Sequence, residues 1–102
     1  MKLAWLTDIH LNYIDDKERE NFCKEIVNTH CDGVLISGDI AEATSLVFIL
    51  QEMANLLKKP IYFVLGNHDY YRGKINEVRK AISILTKINA QLFRCLDPEF
   101  KY

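Results

Sequence analysis

The sequence predicts an α/β domain: a parallel βαβαβ sheet with crossover helices. Three observations predict it. Short apolar runs alternate along the chain with longer stretches of helical apolar spacing. The second and third runs are apolar at consecutive positions, as in strands covered on both faces. Each of the first three runs ends in a cluster of polar residues, on the edge where open α/β sheets bind ligands.

Residues 2–7 form a short apolar run that closes at Asp8, a strand. Residues 15–30 read as a helix, with Asp15 as N-cap and Glu18 in the capping-box position. Its expected inner face is Phe22, Cys23, Ile26, Val27 and His30. Residues 33–37 give the second strand. Residues 44–59 give a second helix with a stripe of Leu46, Ile49, Leu50, Met53, Leu56 and Leu57, stopped by Pro60. Residues 61–65 are the third strand. Residues 73–89 are a third helix, with Ile75, Val78, Ile82, Leu85 and Ile88 facing inward. Residues 91–96 complete a fourth strand. The domain is expected over 1–96, with a loose tail over 97–102.

The chain has 102 residues, enough for one modest core. Its net charge of −1 offers no basic field for nucleic acid, so nucleic acid enters only as a substrate of a bound metal. Cys23, Cys31 and Cys95 form no C-x-x-C pair, which points to reduced thiols and a cytoplasmic setting. No leader and no membrane span is expected, because no apolar run approaches the ~20 residues a span needs.

The three strand-end clusters are Asp8-Ile9-His10, Gly38-Asp39 and Gly66-Asn67-His68-Asp69. A parallel sheet opens all three on one edge. Asp8 and Asp39 offer hard oxygen, His10 nitrogen and Asn67 an amide oxygen. Such a mixed set suits Mn²⁺, Fe or Zn²⁺. Taken singly, an Asp at a strand end is more often a turn residue. Asn12, Asp15, Asp16 and Asp32 read as caps and turn formers, and His30 as a cation at a helix C-terminus. The loop after the first strand carries no glycine, so no dinucleotide or P-loop fingerprint is present.

D-x-H, G-D and G-N-H-D, in that order and each closing a strand, resemble the calcineurin-like metallophosphoesterases. The G-N-H-D element is specific; D-x-H and G-D alone are weak. The resemblance implies the N-terminal half of an α-β-β-α sandwich and a dinuclear divalent-metal site. In it Asp8 and His10 would bind the first metal, Asp39 would bridge, and Asn67 would bind the second. His68 would stand by the scissile phosphate with Asp69 orienting it. The implied reaction is hydrolysis of a phosphate ester.

The family pattern continues with a further histidine and a G-H-x-H pair. This chain has three histidines, His10, His30 and His68, and no Gly-His pair. The second metal shell is therefore expected to be incomplete, and the chain weak or inactive alone. The alternative is a non-catalytic truncated domain, acting as an interaction module or needing a second chain that supplies the missing histidines. With both crossover helices on one face, the other sheet face would stay uncovered at Trp5, Leu35, Tyr62 and Val64, and would favour self-association.

Overall fold

The computed structural model describes residues 1–95. The expected tail, and residue 96, lie outside the described residues. The strands are β1 (Leu3–Leu6), β2 (Gly33–Ile36), β3 (Ile61–Phe63) and β4 (Leu92–Arg94), all parallel and ordered β1-β2-β3-β4. Connecting them are α1 (Asp16–Asn28), α2 (Leu46–Leu57) and α3 (Ile75–Ile88). This is the α/β parallel sheet that the alternating runs predict, with β2 between β1 and β3.

The helices start and stop for local reasons. The Asp15 side chain accepts from the Glu18 N–H while Glu18 reaches back to the Asp15 N–H, so the capping box closes at both ends. At the other end of α1 the Thr29 hydroxyl donates to the Ile26 carbonyl at 2.6 Å, and His30 turns into the left-handed region. α2 ends on Lys58, also left-handed, just short of Pro60.

Sheet alternation decides what is covered. Val34, Ile36, Ile61, Phe63 and Leu92 point to the helices and are buried. They meet Cys23 and Ile26 of α1, Ile49, Leu50 and Met53 of α2, and Val78, Ile82 and Leu85 of α3 in one apolar core. The opposite face carries Trp5, Leu35, Tyr62 and Phe93, which lie in register across the four strands. Trp5 is 71% exposed and Phe93 45%, and the Tyr62 and Phe93 rings stack at 5.1 Å. Within the described residues, then, β2 and β3 are covered on one face only, despite their uninterrupted apolar runs.

The helix stripes are narrower than their periodicity predicts. Val27, Leu56, Ile75 and Ile88 are exposed, and so is His30. Ile75 and Ile88 occupy the two ends of α3, beyond the reach of short strands. Val27 and Leu56 line a shallow groove between α1 and α2. Ala54, absent from the expected stripe, is fully buried.

Arg19 is the polar residue that the helix pattern does not announce. It is 7% exposed. Its guanidinium donates to Glu52 on α2 at 2.6 Å, to the Ile14 carbonyl at 2.7 Å and to Asp16, and packs over the Phe48 ring. Glu52, the main partner, raises its pKa further against the cost of burial. Arg19 thereby fastens the segment after β1, which carries the first polar cluster, to the helical layer.

Candidate metal centre

The three strand-end loops meet through their backbones. The His10 N–H donates to the Asp39 carbonyl at 3.1 Å, and the Leu11 N–H to the Ile40 carbonyl at 2.8 Å, joining the first loop to the second. The Ala43 N–H donates to the Tyr71 carbonyl at 3.0 Å, joining the second to the third. Glu42 adds a side-chain clasp, accepting from Asn12 at 3.2 Å and from Arg72 at 3.1 Å. A short 3₁₀ turn, Leu11–Tyr13, follows the first cluster, and a second, Asn67–Tyr70, contains most of the third.

Asp8, His10 and Asp39 all adopt positive φ, at 51°, 43° and 51°. A residue with a Cβ pays on the order of 1 kcal/mol or more for that conformation. Three such residues at the tips of two adjacent strands indicate that side-chain direction, not local comfort, is what the loops hold. Glycine serves the close approach. Gly38 (φ 116°) lies so near Gly66 that a Cβ would stand 3.2 Å from the Gly66 Cα. A Cβ on Gly66 would stand 2.3 Å from Asp39 Oδ1 and 2.6 Å from the Asp39 nitrogen.

His10, Asp39 and His68 each present a ligand atom within 4.8 Å of the others. The His68 N–H donates to Asp39 Oδ1 at 2.9 Å, and His68 Nδ1 lies 3.3 Å from Asp39 Oδ2. The two imidazoles meet edge to face at 4.9 Å. Tyr13 stacks on His10 at 5.6 Å, and Tyr71 tilts against His68 at 4.6 Å, so a row of four rings crosses the site. Burial works to raise the Asp39 carboxyl, but the His68 amide, the His68 ring and the adjoining Asp8 side chain outweigh it and hold it below the usual carboxylate range. Asp8 thus stands beside Asp39, exposed and outside the tight group of three. Asn67 is exposed at the head of the second 3₁₀ turn.

Asp69 is the centre of the arrangement rather than its edge. It is 0% exposed. One oxygen accepts from the Ile40 and Ala41 N–H groups at 2.9 and 2.8 Å, and the other from the Gly66 N–H at 2.8 Å. Burial pushes its carboxyl up, against those three amide donors. These hydrogen bonds bind the loop of Asp39 to the loop of His68, and Asp69 meets the amides of those loops rather than the His68 ring.

The residues present fit a divalent cation. The Nδ1 atom of His10 is buried without a hydrogen-bond partner, and His68 Nδ1 lies 3.3 Å from the carboxylate of Asp39, itself next to Asp8. Two imidazoles and the Asp39 carboxylate gather at the carboxyl ends of the parallel strands of an α/β sheet, a group of the kind that can hold a metal ion. The family model for calcineurin-like phosphoesterases matches residues 1–99, and the chain belongs to that family, whose members use divalent metals. A Helicobacter pylori (strain J99 / ATCC 700824) protein described as an uncharacterized metallophosphoesterase is 34% identical over 77 residues. That match takes in 72% of this chain and 21% of the relative, so the chain spans about a fifth of that relative's length.

Tyr13, Glu42 and Asp69's loop-bridging role carry no distinctive mark in the sequence. Tyr13 lies three positions after His10, and Tyr71 three after His68. One turn of 3₁₀ geometry folds each back over its histidine.

Proposed function

We propose that this chain is the metal-binding half of a phosphate-ester hydrolase. The observation that carries the reading is the convergence of His10, Asp39 and His68 at the strand tips, inside a family match that takes in nearly the whole chain. In this reading Asp8 and His10 hold a first divalent cation, Asp39 bridges toward a second, and Asn67 contributes to the second. Bound cations supply Lewis acidity toward phosphoryl oxygen and water. Asp39 is kept ionised by the His68 amide and by its neighbours, ready to meet positive charge. His68 stands where it can donate to phosphoryl or leaving-group oxygen once an ester is bound. Asp69 keeps His68 in place through the amides of the neighbouring loops.

Among the described residues this reading gives the second cation Asp39 and Asn67 alone, because His30, the remaining histidine, lies at the far end of α1. Its other ligands would come from outside these 102 residues, and the chain alone would be feeble. The three cysteines among the described residues, Cys23, Cys31 and Cys95, are free thiols, and the reading places the chain in a reducing, cytoplasmic setting. No helix among the described residues is long and apolar enough to cross a membrane.

A second reading, an interaction module, draws on the in-register row of Trp5, Leu35, Tyr62 and Phe93. Such a flat apolar row favours pairing with a second copy of this chain. One preparation tests both. With Mn²⁺, an aryl phosphodiester should be cleaved slowly, and activity should vanish in Asp39→Ala. Sedimentation should show association that Trp5→Lys with Phe93→Lys abolishes. A metal-free, inactive protein that still associates would favour the module. A clean monomer would remove it.

A further inference from the structure

We propose that Tyr13 and Tyr71 are specificity-determining residues of this site and select phosphate esters that carry a flat aromatic group. The inference rests on the phosphate-ester reading above and deepens it by naming the substrate class.

One local device delivers both tyrosines, in two separate loops. The Tyr13 N–H donates to the His10 carbonyl at 3.1 Å, and the Tyr71 N–H to the His68 carbonyl at 3.1 Å. Each ring thereby returns to a histidine of the candidate metal group. Tyr13 lies close to parallel with His10, at 28°, and Tyr71 is tilted 48° to His68. The tyrosines thus stand against different members of the edge-to-face histidine pair.

Neither ring belongs to the core. Tyr13 is 70% exposed and Tyr71 52%, whereas the adjacent Tyr70 packs against the core. Leaving aromatic surface in water is unfavourable, and a ring needed only to brace a histidine would gain by burial. Exposed rings beside a phosphoryl-binding site offer π faces on which a planar substituent can stack. One such stack strengthens binding roughly fivefold to a hundredfold. An aryl ester brings its ring close to the phosphorus, and a nucleotide brings its base from farther out. Both present the same chemistry to the tyrosines.

The test uses the full chain loaded with Zn²⁺. Calorimetry compares phenylphosphonate with methylphosphonate, and adenosine monophosphate with ribose phosphate. The ring-bearing member of at least one pair should bind fivefold tighter or more, the first pair pointing to an aryl ester and the second to a nucleotide. That preference should fall to near unity in Tyr13→Leu with Tyr71→Leu, and persist in Tyr13→Phe with Tyr71→Phe. Equal binding within both pairs overturns the inference and leaves the phosphate-ester reading standing. Binding of none of the four overturns both. A loss in the Leu variant shared equally by ring-bearing and ringless ligands would assign the tyrosines to holding the histidines, and would also overturn the inference. In the wild-type chain, NMR should show contacts between the protons of the preferred ligand's ring and the Tyr13 or Tyr71 ring protons. Their absence contradicts stacking, whether or not the variants fold.

Discussion

Asp69→Ala will cost the domain about 3–5 kcal/mol, a large part of the roughly 5–15 kcal/mol that holds a domain of this kind together. The carboxylate is fully buried and accepts from Ile40, Ala41 and Gly66 at 2.8–2.9 Å. Removing it strands three amide donors in a space closed to water, each worth on the order of 1–3 kcal/mol when left unmade. Those donors belong to two loops, so the loss also separates Asp39 from His68. Asp69→Asn should fall between, since its amide oxygen can serve Ile40 and Ala41 while its NH₂ would face the Gly66 N–H. Urea unfolding of the three proteins measures the order. A loss below about 1 kcal/mol for Asp69→Ala would mean that the loops do not depend on this residue.

Gly66→Ala will reduce divalent-metal affinity at least a hundredfold, about 3 kcal/mol, with much less harm to the fold. Gly66 has φ −100° and ψ −179°, which any residue adopts, so the difficulty is space. The added Cβ would stand 2.3 Å from Asp39 Oδ1, 2.6 Å from the Asp39 backbone nitrogen and 2.9 Å from its Cγ. Turning the whole Asp39 side chain away relieves the first and last contacts but not the second. The loop must shift, and the His68 N–H loses its acceptor. Gly33→Ala is the control: its Cβ would meet the flexible Leu3 Cδ2 at 3.2 Å and the Pro60 carbonyl at 3.3 Å, far from the loops. Calorimetric Mn²⁺ titration of both variants, with far-UV circular dichroism, reads the contrast. Equal affinities in Gly66→Ala and Gly33→Ala would show that the close packing of the two loops is dispensable.

The sequence reveals the frame because short-range rules set it. The capping box of Asp15 and Glu18, the stop at Pro60 and the alternation of runs each depend on a few neighbouring residues, and each appears in the structure. The stripes are less legible. Periodicity gives the angle of a side chain about a helix but not how far the sheet extends beneath it, so Ile75, Ile88 and Leu56 stand exposed. The candidate site divides in the same way. Strand tips bring Asp8, His10, Asp39 and His68 to one edge, as parallel topology requires. Which donors come closest depends on the left-handed turns at Asp8, His10 and Asp39 and on the amides that Asp69 gathers. Neither feature has a sequence signature, because aspartate and histidine do not announce a positive φ. The inward-facing Arg19 is hidden for a similar reason: its partners Glu52 and the Ile14 carbonyl come from other turns of the chain.

Anomalous diffraction from crystals grown with Mn²⁺ will show whether the strand tips hold a cation. A manganese peak is expected about 2.2 Å from both the Asp39 carboxylate and the His10 imidazole. Well-ordered strand-tip loops with no peak between them, at saturating Mn²⁺, would contradict a cation site there.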